Sequence, residues 1–368
     1  MSTSLNALRA ALMGTPKALT VLWGLSDRPA FAEKVAEIGR GAGIDLTTEA
    51  VLAAMTPRGP ATPAMPVSAA TLGPEWLPST FAITPQGGRL DWVYGGGEAF
   101  TAPFAAQDFA WLATHPLNQL LPVISDPGEL GRLPGPERPV DGMIFHIGRC
   151  GSTLASRMLS QVGDILVLSE PQPLTAVLSA HTLLTIDPVV QQAWINGMLG
   201  VYRRAAAGRR LVIKLDVDSL FDHARLRKVC PDTPFVVMHR DPLQVLVAQA
   251  GTGAPPGGQD GVPMPSAEEI ARWLAALCET GARAVNAGAR PIAYADLPGA
   301  VLDPAFLNLG LGEGDRAAMA TVATMDAKAP GRPFVPDSLA RQSAASERLK
   351  MLARQVIQPS WERLAGLR

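Results

Sequence analysis

Residues 143–159 read MIFHIGRCGSTLASRML: an apolar run, a glycine-bearing turn and the start of an amphipathic helix. Gly148 and Gly151 permit tight backbone. The amides of Gly151, Ser152, Thr153 and Leu154 converge at a helix start, where the dipole also favours negative charge. That chemistry is anion binding. The alternative is a plain strand-to-helix turn capped by Ser152 or Thr153. A hydrolytic phosphate loop carries lysine directly after its last glycine, followed by a Ser or Thr for Mg²⁺. Here Ser152 follows Gly151, and the cation, Arg149, precedes it. The displacement argues against Mg-dependent hydrolysis of ATP or GTP. A cation ahead of the turn can instead lean over a bound 5′-phosphate and stabilise it as a leaving group.

Four further apolar runs follow: ILVL, RLVIKL, FVVMH and PIAYA, separated by helix-length segments. Together with MIFHI they predict strands buried on both faces, hence a parallel sheet flanked by helices in a three-layer α/β domain. Ligands of open parallel sheets lie at the carboxyl edge. Charged residues stand at several of these strand ends: Glu170, Lys214 with Asp216 two residues on, and Arg240. A glutamate at a strand end is also a cap or an ion-pair partner, Arg240 a salt-bridge partner of Asp241, and Lys214 a partner of Asp216 or Glu170. His146 and His239 read as satisfied core histidines, with His146 as a reserve base.

The segment FHIGRCGSTLASRML resembles the 5′-phosphosulfate loop of sulfotransferases. These enzymes use 3′-phosphoadenosine 5′-phosphosulfate (PAPS) on a P-loop-like α/β fold and release 3′,5′-diphosphoadenosine. The tyrosylprotein type is the nearer in motif, carrying Arg where Arg149 stands. The resemblance continues through SEP, where Glu170 occupies the place of the proposed catalytic glutamate, and through HRDP, where Arg240 matches the arginine that binds the 3′-phosphate. It implies that Gly148, Cys150, Gly151, Ser152, Thr153 and Leu154 hold the donor, and Lys214 reads as a supporting cation there. Arg149 then stabilises the leaving diphosphate, and Glu170, expected on the neighbouring strand at the same carboxyl edge, takes the acceptor's proton. The family's Ser eight residues after that arginine is Ala248 here, beside Gln249, which would substitute for it. Lys328 and Arg332, in AKAPGRPFVPD, match the basic loop that many members close over the nucleotide. The acceptor expected is a small molecule or a peptide. A nucleotide kinase on the same fold and a non-catalytic nucleotide- or peptide-binding module are the alternatives.

Ahead of this domain, expected at 140–368, residues 1–66 read as a helical hairpin and a proline-rich linker. Asp45 or Thr47 caps its second helix, and the pattern around GAGIDLT is similar to Nif11-type leader segments. Residues 67–139 read as a small region of two strands around Gln86-Gly87-Gly88, a helix over AAQDFAWLATHPLNQLL and a linker. GTGAPPGGQDGVPMP at 251–265 reads as a long loop, a candidate lid. The 368 residues are 47% hydrophobic and 18% charged, with a net charge of −1. That balance gives no basis for nucleic-acid or membrane-surface binding. Three scattered cysteines suggest neither disulfides nor zinc and fit a cytoplasmic protein, and the five histidines have no ligand spacing. Trp92, Trp111, Trp194, Trp273 and Trp361 read as core, or as one that stacks on adenine.

Overall fold

The computed structural model describes residues 3–57, 64–84, 87–250, 265–325, 343 and 345–367. The chain forms two compact units: Met1–Ala99 with Ala105–Glu137 and Gln172–Gly208, and Phe100–Phe104 with Arg138–Pro171 and Arg209–Arg368.

In the first unit, four helices, Thr3–Met13, Pro16–Trp23, Arg28–Gly41 and Thr48–Ala54, occupy the segment read as one hairpin. Thr47, one of the two expected caps, accepts the amide of Ala50 at 3.2 Å. A four-stranded sheet follows, built from β1 (Met65–Pro66), β2 (Trp76–Thr84), β3 (Gly87–Tyr94) and β4 (Val123–Ser125), in the order β1-β4-β3-β2. The expected β2–β3 pair is antiparallel. The helix expected over 105–121 is two, Ala105–Thr114 and Pro116–Leu120. Pro116 cannot donate to the preceding turn and drives His115 to an extended conformation, from which its Nδ1 caps Leu117 at 3.2 Å. Helices Gln172–Leu183 and Pro188–Ala205 also belong to this unit, although they fall within the expected 140–368 domain. Their attachment is specific: Gln172 Oε1 accepts from Phe81 N at 3.1 Å, and Gly197 and Gly200 lie hard against the backbones of Leu130 and Pro134.

The second unit is built on β5 (Gly142–His146), β6 (Ile165–Ser169), β7 (Arg210–Lys214), β8 (Phe235–His239) and β9 (Arg290–Ala293), all parallel. These are the five strands expected. Their order is β6-β7-β5-β8-β9, so β7 enters between β5 and β6. The first four strands are buried almost throughout, as their unbroken apolar runs require. Helices flank the sheet, chiefly Ser152–Leu159, Ala267–Asn286 and Gln358–Ala365. Helix 267–286 opens with a reciprocal Ser266–Glu269 capping box. Among the described residues no helix is long and apolar enough to cross a membrane.

Candidate functional site

The turn after β5 is left-handed at Gly148 (φ 82°), Arg149 (φ 51°) and Gly151 (φ 84°). Glycine is needed twice. A Cβ on Gly151 would overlap Leu297 and come within 3.3 Å of the Tyr294 ring, and one on Gly148 would approach Gln249 Nε2 to 3.1 Å. Helix 152–159 starts from Gly151, which offers no side-chain cap, so the expected Ser or Thr cap is absent. The first intrahelical bond is Ala155 N to Gly151 O, so the amides of Ser152, Thr153 and Leu154 precede it. This is the backbone geometry that holds an anion. Ser152 and Thr153 are themselves buried.

Cys150 is completely buried, and its thiol donates to Met238 O at 3.2 Å. Burial pushes that thiol up to about 11, against a small pull from the neighbouring backbone amides. Its side chain anchors the turn inward, so its contribution to a ligand is through the backbone. His146 anchors the turn from the other side. Its Nδ1 accepts the Gly148 amide at 3.1 Å, which leaves the proton on Nε2, 3.0 Å from Leu215 O. Burial, with the nearby Lys214 charge, lowers its pKa and keeps the ring neutral. With both nitrogens committed, His146 is a structural member of the site.

Glu170 stands just past β6 with φ 54°. It and Arg149 are two of the four non-glycine residues with positive φ among those described. Such backbone persists only where surroundings over-determine it, and functional sites collect it. The sequence predicts these two on neighbouring strands. The sheet order corrects this, because β7 lies between them and brings Lys214 to the centre. Glu170 N donates to Lys214 O at 2.6 Å, and the Glu170 carboxylate is ion-paired with the fully buried Lys214 ammonium. His146 Nε2 lies 3.4 Å from the same carboxylate oxygen. Burial would raise Glu170, but the hydrogen bond from His146 and the Lys214 charge outweigh it and hold the group down at about 2. The Lys214 ammonium also lies 5.2 Å from the Phe104 ring centre, and the 100–104 segment is tied in by Ser169 Oγ to Pro103 O at 2.8 Å. Asp216 is the opposite case to Glu170. Burial and the Glu170 charge push it up to about 6, although it accepts the Asp218 amide at 3.0 Å.

Arg240 follows β8 and is nearly buried. Its Nη1 donates to Arg149 O at 3.1 Å, its Nε to Gln244 Oε1 at 2.7 Å, and its guanidinium lies 3.9 Å from the Tyr294 ring centre. The carboxyl edge thus gathers Gly148, Arg149, Gly151, Ser152, Thr153, Leu154, Glu170, Lys214, Arg240 and Gln249. Lys328, Arg332 and nearly all of the 251–265 loop lie outside the described residues. Sequence reasoning missed Tyr294, Leu297, Gln244 and Phe104. Tyr294 had one usable signal, its place at the carboxyl end of PIAYA; the others had none. Trp111, read as core, is 59% exposed, whereas Trp92 is buried and bonds Ser125 Oγ at 2.9 Å. Among the described residues no three His, Cys, Asp or Glu side chains are gathered as metal ligands. No family model matches the chain, and no curated protein matches it.

Proposed function

We propose that the second unit is a PAPS-dependent sulfotransferase acting on a hydroxyl or amine of a small molecule or peptide. The observation that carries this reading is the left-handed 148–151 turn. It opens a helix at the carboxyl edge of a parallel sheet, with Arg149 in the turn itself, Lys214 and Arg240 at the ends of the two strands beside β5, and no lysine after Gly151. The donor supplies an activated sulfuryl group. The loop amides, with the hydroxyls of Ser152 and Thr153, hold the 5′-phosphate end, and Arg149 balances the charge that grows there. Transfer is in line, and little covalent work falls to the protein.

Glu170 receives the acceptor's proton. A carboxylate held at about 2 is a weak base, so the proton leaves late, after bonding to sulfur has made the acceptor oxygen or nitrogen acidic. Lys214 fixes that carboxylate and supplies positive charge from beneath. The test is calorimetric titration of the full-length chain with 3′,5′-diphosphoadenosine and, separately, ATP, with R149A alongside. Preference for the diphosphate, reduced at least tenfold by R149A, is expected. A folded chain that binds ATP with Mg²⁺ in preference, or binds neither nucleotide, refutes the reading.

A further inference from the structure

We propose that Arg240 is a positioning residue that braces the left-handed loop from behind, and that it sets affinity for the 5′ end of the nucleotide in place of contacting the 3′-phosphate. This rests on the donor-binding reading above and departs from the role that the family resemblance implies.

The geometry starts at Arg149. An L-residue at φ 51° is strained. Arg240 meets the Arg149 carbonyl with a charge-assisted hydrogen bond of 3.1 Å. The guanidinium is itself aimed: Gln244, one turn on in helix Pro242–Ala250, takes Nε at 2.7 Å, and Tyr294 underlies the plane at 3.9 Å. Tyr294 and Leu297 in turn fill the space beside Gly151 that a Cβ would need. The ends of β8 and β9 therefore grip the loop at two points, the carbonyl of Arg149 and the Cα of Gly151. Arg240 is 6% exposed, and its Nη1 and Nε both donate to protein groups. Only arginine provides this fork, because it bonds two acceptors in one plane while stacking on a ring.

The experiment compares 3′,5′-diphosphoadenosine with adenosine 5′-phosphate on wild type, R240K and Q244A, with amide exchange at residues 149–154 measured on the same ligand-free proteins. R240K is the chief variant because it keeps the charge and loses the fork. The brace predicts that R240K weakens both nucleotides by the same factor, about tenfold or more. It also predicts that amides 149–154 exchange at least tenfold faster, with Q244A intermediate. Selective loss of the diphosphate, with exchange unchanged, overturns it and restores a direct 3′-phosphate contact. If wild type binds neither nucleotide, the donor reading falls, and the exchange measurement still decides the brace: unchanged exchange in R240K overturns it.

Discussion

The buried ion pair between Lys214 and Glu170 makes a quantitative demand on stability. Lys214 is wholly inaccessible and the Glu170 side chain is 23% exposed, so solvent screens the pair little. Glu170 falls from an ordinary 4.5 to about 2 in the folded chain, which corresponds to roughly 3 kcal/mol of stabilisation. Because the folded-state value is the lower one, that contribution is complete above about pH 4.5 and disappears as pH falls towards 2. E170Q should therefore cost about 3–5 kcal/mol at pH 7, since it removes the stabilising charge and strands a buried ammonium. K214M should cost a similar amount, by stranding the carboxylate. The double variant should cost less than the two together by about 2 kcal/mol or more. Between pH 7 and pH 3 the gap between wild type and E170Q should narrow by about 2 kcal/mol. A chain with two compact units need not unfold in one step, so the measurement is urea-dependent amide exchange of β5, β7 and β8. Additive single costs, or a gap that does not change with pH, would refute the reasoning.

Asp216 behaves in the opposite sense. Its carboxyl is raised from 3.8 to about 6, so its charge destabilises the fold above pH 6, and stability is regained as pH falls from 6 towards 3.8. D216N should be more stable than wild type at pH 8, by about 1–3 kcal/mol, and equal to it near pH 4 in the same exchange assay. G151A combines a left-handed alanine with overlap onto Leu297. It should weaken 3′,5′-diphosphoadenosine binding by about tenfold or more in calorimetry. G163A, where a Cβ meets nothing within 4 Å, should leave it unchanged.

The loop was legible because its glycines mark backbone that only they adopt cheaply, and the five strands because unbroken apolar runs have few other uses. That Glu170, Lys214 and Arg240 share an edge followed from each lying at the end of such a run in a parallel sheet. What could not be read was lateral order. Nothing in RLVIKL says that it slots between the two strands preceding it, since order is set by how crossovers pack and leaves no periodicity in the strand. The pairing of Lys214 with Glu170 was therefore one option among several, and Glu170 was placed beside the wrong strand. Arg240 was found by motif, but its partners Gln244 and Tyr294 come from a helix turn and a strand end that carry no signal of contact. Helices 172–205 look like ordinary crossover helices. The close backbone approaches at Gly197 and Gly200 and the Gln172–Phe81 hydrogen bond tie them to the first unit, and none of these leaves a pattern in the sequence.

The insertion of β7 between β5 and β6 also bears on how the molecule is made. On the ribosome β5 and β6 emerge before the other strands of their sheet, each an apolar ribbon with unpaired edges. The strand that must separate them follows only after the chain has supplied two helices to the other unit. A direct β5–β6 pairing during that interval would shut out Lys214 and leave Glu170 without its cation. The buried pair therefore rewards the late arrival of β7 and penalises the shortcut. Synthesis halted before residue 214 yields a loop without the charge beneath it. The charged edge at the strand ends is therefore incomplete until β7, and after it β8, has joined the sheet.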